Sequence, residues 1–308
     1  MNVIRHAAHR SGAAAPCVVT LGKFDGVHRG HREVLARLVH RAREHQVPSV
    51  AITFTPHPLS ILAPARAPLA LTSIRQRLAL LAAAGVDTVV LQRFTPRFAQ
   101  VPADRFVEEI LVGCLRARAV VVGQTVGFGY RRTGTAASLV AFGRKHGFTV
   151  EVVPPFKVDG RPVTSTAVRV AIAAGDLAAA GRMLGRPYEI SGRVVHGHHR
   201  GQQLGVPTAN LRLRGVQLPP DGVYAARARI AGRVHCAVAN IGFNPTFGDR
   251  ERSVEAHVLD FHGDLYTQRL DLVFIEYLRG ERRFPDVQAL VAQIREDIAA
   301  VRRLLPLP

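Results

Sequence analysis

The chain has 308 residues, 47% of them hydrophobic, which favours two folded domains and excludes a largely disordered chain. It has no apolar run of about 18 residues and no continuous apolar segment at its start. We therefore expect no membrane span and no signal peptide, and we place the protein in the cytoplasm. Three widely separated cysteines, Cys17, Cys114 and Cys236, fit reduced thiols better than a disulfide framework or a zinc site.

The net charge of +18 raises nucleic acid as a partner. Only three of the 41 basic residues are lysine, however, and the arginines are dispersed without basic runs or interleaved aromatic residues. This pattern is typical of a chain-wide codon bias, and a basic surface equally suits phosphate-rich small molecules. We therefore predict no nucleic-acid partner.

Strand and helix patterns alternate through the first half of the chain. Apolar residues at helical spacing predict helices around 34–42, 74–81 and 106–111. This alternation predicts a Rossmann-like α/β domain with a doubly wound parallel sheet, which binds ligands outside the carboxyl ends of its strands. Short apolar, β-branched runs predict the buried strands, at 17–21, 49–54, 88–91, 119–122 and 149–153.

Beyond about residue 185 the pattern changes to short alternating stretches separated by turn residues. It predicts an antiparallel sheet or small β-barrel with strands at 224–230, 234–239, 253–259 and 270–274. One apolar stripe then predicts a C-terminal helix with Asp286 as its N-cap. We place the boundary between residues 185 and 186, which gives domains 1–185 and 186–308.

The first predicted strand runs into the segment GKFDGVHRGH at residues 22–31. Its glycines would let the backbone approach a phosphate chain, and the helix that follows offers unpaired N–H groups. His28 and His31 could donate hydrogen bonds to phosphate oxygens. A metal site at these histidines is the weaker interpretation, because no third ligand stands at a known spacing. Neither a Walker A loop nor a G-x-G-x-x-G pattern is present.

The H-x-G-H signature at 28–31 resembles that of the nucleotidyltransferase superfamily. The longer stretch 20–31 closely resembles bacterial bifunctional riboflavin kinase/FMN adenylyltransferases, as do the segments 53–58, 71–77 and 163–169. The resemblance implies that the FMN phosphate attacks the α-phosphate of ATP and that pyrophosphate leaves without a covalent enzyme intermediate. Catalysis would then come from positioning and charge stabilisation.

The family's pattern implies roles for individual residues of this first site. His28 and His31 would be catalytic residues that contact the ATP phosphates. Ser165, Thr166 and Arg169 would hold the departing pyrophosphate. Thr125 and Phe128 fall in the family's flavin pocket. His57 could bind nucleotide or could equally order its proline-flanked loop. The residues implied to bind the nucleotide include Gly22, Phe24, Asp25, Gly26 and His57.

Two departures from the family's pattern leave an alternative open. Lys23 stands where an asparagine-like residue is usual, and Thr125 is shorter and uncharged where Asp or Asn is usual. The alternative is an active kinase joined to a degenerate or redirected transferase. The sequence also leaves open whether the nucleotide is ATP or another, and which flavin analogues are accepted.

The second chemical site is expected in the segment 197–211, where Gly197, Gly201 and Gly205 would let a loop fold over phosphates. Thr208 and Asn210 supply a hydroxyl and an amide oxygen, which are hard ligands suited to Mg²⁺. The segment resembles the riboflavin kinase loop of the same family.

The kinase resemblance implies two further site residues. Glu255 would be the general base for the ribityl hydroxyl that attacks the γ-phosphate of ATP, and Arg279 would contact the flavin. On position alone, Glu255 would be a solvated carboxylate on a strand and Arg279 an ordinary surface arginine.

The resemblance implies riboflavin, FMN, FAD and ATP as ligands, with Mg²⁺ as cofactor and ATP as co-substrate. It implies no nucleic-acid or membrane partner and leaves a homo-oligomer open. A flavin-sensing nucleic-acid binder is the competing class, motivated by the charge of +18.

Overall fold

The computed structural model describes residues 1–7, 15–196, 205–243 and 252–306. The chain divides into two compact units. The first unit comprises Met1–Leu69 and Ile74–Ser165, and the second comprises Ala70–Ser73 and Thr166–Pro308.

A six-stranded sheet forms the centre of the first unit, and all of its neighbouring strands are parallel. Its order is β1-β4-β3-β2-β5-β6, so the chain continues to one side of β2 through β3 and later to the other side through β5. The switch point therefore lies at the carboxyl ends of β2 and β5, where such sheets bind ligands. The strands are β1 (Asn2–Ile4), β2 (Cys17–Leu21), β3 (Ser49–Thr55), β4 (Thr88–Arg93), β5 (Ala117–Gly123) and β6 (Thr149–Val153).

Alternate side chains of this sheet enter two separate apolar clusters. Val18 and Val89 belong to one cluster, whereas their neighbours Val19 and Val90 belong to the other. Both faces are thus covered, which is why the strands are continuous apolar runs and why the predicted doubly wound sheet is confirmed. The helices of this unit are α1 (Arg29–Glu44), α2 (Pro58–Leu62), α3 (Ile74–Ala83), α4 (Pro96–Ala99), α5 (Ala103–Arg105) and α6 (Ala136–His146).

The helix predicted around 106–111 differs from an ordinary α-helix. After α5 the chain forms a π-helical segment, Phe106–Cys114, whose last turn is closed by a hydrogen bond from Leu115 N–H to the Ile110 carbonyl. A small hairpin, β7 (Lys157–Val158) and β8 (Arg161–Pro162), precedes the end of the unit.

The second unit contains a closed antiparallel barrel with the strand order β10-β13-β12-β11-β14-β9, which confirms the predicted barrel. Two of its strands had no sequence prediction, because β10 is short and β9 is interrupted by Ser191 and Gly192. The strands are β9 (Glu189–Val195), β10 (Ala209–Arg212), β11 (Gly222–Ile230), β12 (Arg233–Phe243), β13 (Arg252–Val258) and β14 (Arg269–Arg279).

Helices α7 (Ser165–Ala173) and α8 (Leu177–Leu184) share one buried apolar cluster with the barrel through Val168, Ile172 and Leu184. This burial explains why the second unit begins at Thr166, before the boundary that we predict at residues 185 and 186.

The C-terminal helix α9 (Val287–Leu304) has the predicted cap, since the Asp286 carboxylate accepts the Ala289 N–H at 2.8 Å. Its residue Val301 is buried in a second cluster with Ala225 and Cys236 of the barrel strands. The predicted C-terminal helix is therefore confirmed and packs on the barrel.

Candidate active sites

The segment 22–28, which we call the phosphate loop, connects β2 to the first turn of α1. His28 is the N-cap of α1, and its Nδ1 accepts the backbone N–H of His31 at 3.3 Å. Because Nδ1 is an acceptor, a neutral His28 ring carries its proton on Nε2. The start of the helix is therefore capped by an imidazole whose other edge is a hydrogen-bond donor.

The two histidines of the signature form a stacked pair. Their ring centroids lie 3.7 Å apart with an angle of 17° between the planes. Burial lowers the pKa of His31 well below its ordinary value. Repulsion from His28 when that ring is protonated, and from the charges of Arg77 and Lys23, lowers it further. His31 is therefore neutral near pH 7, and its buried Nδ1 has no hydrogen-bond partner among the residues that the structure describes.

The phosphate loop has a strained backbone. Phe24 and Val27 have φ angles of 47° and 38°, in the left-handed region, and each is only 2% exposed. Such conformations cost about 1–3 kcal/mol each and persist only where the surroundings fix them.

Two hydroxyl groups from outside the phosphate loop hold its backbone. Thr53, near the end of β3, donates to the carbonyl of Lys23 at 3.0 Å. Ser165 donates to the carbonyl of Asp25, also at 3.0 Å. The segment that begins with Val163 also packs closely on α1, because a Cβ at Gly30 would lie 3.4 Å from the Val163 carbonyl oxygen. The structure thus brings Ser165 to the phosphate loop, and its contact with pyrophosphate stays a prediction.

Four other residues predicted for the first site either make structural contacts or lie in the second unit. The Asp25 carboxylate is buried in an ion pair with Arg77 at 3.4 Å, which leaves it little access to a ligand. His57 is the N-cap of α2, and its Nδ1 accepts the Leu59 N–H at 3.2 Å, so it does order its loop. Thr166 and Arg169 belong to the second unit. Nucleotide contacts by all four residues stay predictions.

The two residues of the first unit that were predicted to contact the flavin follow β5 at the switch point of the sheet. Thr125 is exposed, and its carbonyl accepts a long, 3.5 Å bond from Arg132. Phe128 is only 5% exposed and packs on Phe106 with a centroid separation of 5.5 Å. Phe128 can therefore support a pocket wall more readily than it can offer a ring face of its own.

A row of aromatic rings begins at the ends of β3 and β4, and of its members only Phe128 had been predicted as a site residue. Phe54, at the end of β3, and Phe94, just after β4, have centroids 6.0 Å apart, and both are half-buried. This row lies at the same edge of the parallel sheet as the phosphate loop. Its signal in the sequence was an aromatic residue at the carboxyl end of two adjacent strands. Neighbouring rings of the row lie within 6.4 Å of one another, in the order Phe94, Phe54, Phe98, Phe106 and Phe128.

The predicted residues of the second site lie together on the outside of the barrel. Asn210 of β10 is directly opposite Glu255 of β13, and Thr208 donates a long bond of 3.5 Å to the Glu255 carboxylate. The strand neighbours Ala209 and Val254 are buried in the barrel's cluster, so Asn210 and Glu255 face away from it. A hydroxyl, an amide and a carboxylate thus converge on one face.

Two further residues of the barrel surface join this group. Asn240 of β12 lies opposite Glu255 on its other side, and its amide donates to Glu281 at 3.5 Å. His257 lies two residues beyond Glu255, and its Nδ1 is 2.8 Å from the Pro207 carbonyl. A carbonyl can only accept, so this ring carries a proton on Nδ1. The alternation Glu255-x-His257 on a strand is the signal that could have identified His257.

Of the other residues predicted for the second site, the structure describes Arg279 and Gly205 but not Gly197 and Gly201. Arg279 forms a paired ion bridge with Asp297 of α9, with bonds of 2.9 and 2.7 Å; the Asp297 side chain is buried and that of Arg279 is 13% exposed. Its guanidinium therefore links β14 to α9 through an ion pair. Contact between Arg279 and the flavin stays a prediction. Gly205 has a left-handed φ of 73°, whereas Gly197 and Gly201 lie outside the described residues.

Over the described residues, no group of three or more His, Cys, Asp or Glu is arranged to hold a metal ion. None of the described helices combines the length and apolar character needed to cross a membrane.

Comparisons with known proteins match both halves of the chain. The sequence model of FAD synthetase matches residues 11–167, and that of riboflavin kinase matches residues 184–305. A bifunctional riboflavin kinase/FMN adenylyltransferase from Pseudomonas fluorescens is 45% identical, over 94% of this chain and 93% of that protein. One of the same name from Escherichia coli K12 is 40% identical, also over 94% and 93%.

A solved structure resembles the chain over nearly its whole length. It is described as a macrolide-efflux protein from Streptococcus pneumoniae, with a TM-score of 0.86 and 32% identity, covering 97% of this chain and 98% of that one. The family assignment rests on the sequence matches, which cover both units. The chain therefore belongs to the family of bifunctional riboflavin kinase/FMN adenylyltransferases.

Proposed function

We propose that this protein phosphorylates riboflavin to FMN with ATP and then adenylylates FMN to FAD with release of pyrophosphate. One observation carries the proposal: each unit has its own group of residues suited to phosphate chemistry. The first unit has the His28–His31 pair at a helix start, and the second has Thr208, Asn210 and Glu255 on one face.

In the adenylylation step, an FMN phosphate oxygen attacks the α-phosphorus of ATP. The bond to the bridging oxygen breaks, and pyrophosphate leaves with the electron pair. The Nε2–H of His28 and the start of α1 suit the negative charge that develops on the phosphates. A neutral His31 can gain a proton as that charge approaches. The half-buried rings of Phe54 and Phe94 offer apolar surface for the flat flavin ring.

In the kinase step, the ribityl hydroxyl attacks the γ-phosphorus of ATP, ADP leaves, and Glu255 takes the hydroxyl proton. His257 holds the Pro207 carbonyl and so positions the start of the Thr208–Asn210 segment. Thr208 and Asn210 would hold Mg²⁺, since a hydroxyl and an amide oxygen are hard donors that fit this ion. When bound, the ion would neutralise phosphate charge.

The alternative of a kinase beside a degenerate transferase is not favoured. The transferase-family match extends over residues 11–167, and the Pseudomonas fluorescens and Escherichia coli relatives carry both activities in their names. Lys23 contributes its carbonyl to the Thr53 bond, which any residue at position 23 could do. Mg²⁺ as cofactor and the cytoplasmic location stay predictions, and a homo-oligomer stays open.

A time course of flavin products tests the proposal. The purified protein is incubated with riboflavin, ATP and Mg²⁺, and the flavins are separated by chromatography. We expect FMN first and FAD later, with pyrophosphate released in step with FAD. Accumulation that ends at FMN would favour the lone kinase, and unchanged riboflavin would contradict the proposal. Binding to DNA or RNA that depends on salt and on flavin nucleotide would support the nucleic-acid class instead.

A further inference from the structure

Arg77 of α3 occupies an unusual place for an arginine, since only 6% of it is exposed. Its Nη1 donates to the Phe54 carbonyl at the end of β3, and its Nη2 donates to the Asp25 carboxylate, each at 3.4 Å. Asp25 itself is 2% exposed and lies in the phosphate loop. A buried charge is costly unless it is paired, so Arg77 and Asp25 each hold the other in position.

The loop that Arg77 contacts needs support from outside. Phe24 and Val27, on either side of Asp25, have left-handed backbones that are unfavourable for bulky side chains. Thr53 and Ser165 hold the backbone carbonyls of this loop, whereas Arg77 holds a side chain. Arg77 is thus the charged member of the set of side chains that fix the loop's conformation.

The charge of Arg77 also reaches the histidine pair. The charged or titratable groups facing His31 are His28 and Lys23 of the phosphate loop and Arg77 of α3, with Asp25 beside Arg77. Arg77 contributes to the lowered pKa of His31, after burial and His28. A neutral His31 suits a pair of rings stacked at 3.7 Å, because two imidazolium rings would repel each other.

We propose that Arg77 is a positioning residue of the adenylylation site, which fixes the strained phosphate loop through Asp25 and thereby places His28 and His31. The inference rests on the proposed transferase function of this unit. Arg77 acts through Asp25 and the loop backbone, so its effect should appear in turnover and in the titration of His31. A purely structural arginine would change stability alone.

The test compares Arg77→Met, Arg77→Lys and the control Arg75→Met, which removes an exposed arginine from the same helix. FMN adenylylation is measured at saturating ATP and FMN across pH, and His31 is titrated by NMR without substrates, with His31→Gln to assign its signal. Riboflavin phosphorylation by the same samples serves as the internal control.

Arg77→Met should lower the kcat of adenylylation on the order of 10²-fold, because small displacements of catalytic groups have effects of that size. It should also raise the pKa of His31, since a positive charge is lost and Asp25 is left uncompensated. Arg77→Lys should keep that pKa low but give an intermediate kcat, because an ammonium cannot make the two directed bonds of a guanidinium. Arg75→Met should match the wild type in both.

The proposal is overturned if Arg77→Met matches Arg75→Met in kcat and in the His31 titration. If Arg77→Met fails to fold, Arg77→Lys decides, and a wild-type kcat there overturns the proposal. The titration needs no substrate, so it reports on Arg77 whatever the enzyme makes. Failure of the wild type to form FAD would contradict the proposed function instead.

Discussion

Glu255 carries the most specific chemical role at the residue scale. Its carboxylate lies between Asn210 and Asn240 across three adjacent strands and accepts a bond from Thr208. Glu255→Gln keeps the shape but removes the base, so we expect FMN formation to fall about 10²–10⁴-fold. Adenylylation of supplied FMN should be unchanged. Glu276→Gln, an exposed glutamate of β14, is the matched control, and equal losses in the two variants would contradict the role.

His257 offers a test of positioning in the kinase unit. Its Nδ1–H donates to the Pro207 carbonyl at 2.8 Å, and an asparagine amide can place a donor where Nδ1 lies, whereas a glutamine amide reaches further. His257→Gln should weaken ATP binding by about 1 kcal/mol, which raises the KM for ATP roughly fivefold. His257→Asn should keep the KM close to that of the wild type. Equal KM values for the two variants would show that the bond is unimportant.

His31 should make the first unit sensitive to acid. Its pKa in the folded protein lies below the ordinary value of about 6.5, so the unfolded chain binds a proton that the folded one does not. The free energy of unfolding should therefore decrease as pH falls through about 6.5, and the loss should level off below the folded-state pKa.

Chemical unfolding of the first unit over a pH series measures this effect. His31→Gln should give a shallower pH dependence than the wild type. A steeper dependence in His31→Gln would contradict the sign of the shift.

At the element scale, α7 packs in the barrel's apolar cluster, although it lies before the predicted boundary at residues 185 and 186. Ile172 is fully buried in the barrel's cluster, whereas Val170 on the same helix is 64% exposed. Ile172→Ala should destabilise the second unit by about 2–5 kcal/mol, and Val170→Ala should change it by less than about 0.5 kcal/mol. Thermal inactivation of riboflavin phosphorylation measures the effect. Equal stability of the two variants would contradict a role of α7 in the second unit and would favour the predicted boundary at residues 185 and 186.

Local patterns made much of the fold predictable. Strand β2, the glycine-rich loop and α1 follow one another in sequence, so hydrophobic period and glycine position were enough to predict them. The three-residue strand β1 has no comparable pattern of its own, and the helical spacing at 106–111 did not distinguish the π-helical segment Phe106–Cys114 from an α-helix. Their conformation is set by pairing with β4 and by packing in the core.

At the scale of the whole molecule, contacts between distant residues escaped prediction. Arg77 meets Asp25 from 52 residues away, and His257 meets Pro207 from 50 residues away. Hydrophobic periodicity cannot predict such a contact, because the strand order of the sheet and of the barrel determines which distant residues meet. For the same reason the bond between the Arg279 guanidinium and Asp297 of α9 was not foreseen.

The division of the chain into two units means that the two reactions need not share any residue. His28→Ala should abolish FAD formation and keep FMN formation, and Glu255→Gln should do the reverse. FMN made by one molecule could then leave and be used by another. The two variants should therefore complement each other in solution.

Mixing His28→Ala and Glu255→Gln with riboflavin, ATP and Mg²⁺ is the measurement that tests this account most directly. We predict that neither variant alone makes FAD from riboflavin and that the mixture does, after FMN has appeared. Absence of FAD from the mixture, although both variants are folded, would contradict two independent phosphate-handling sites on this chain.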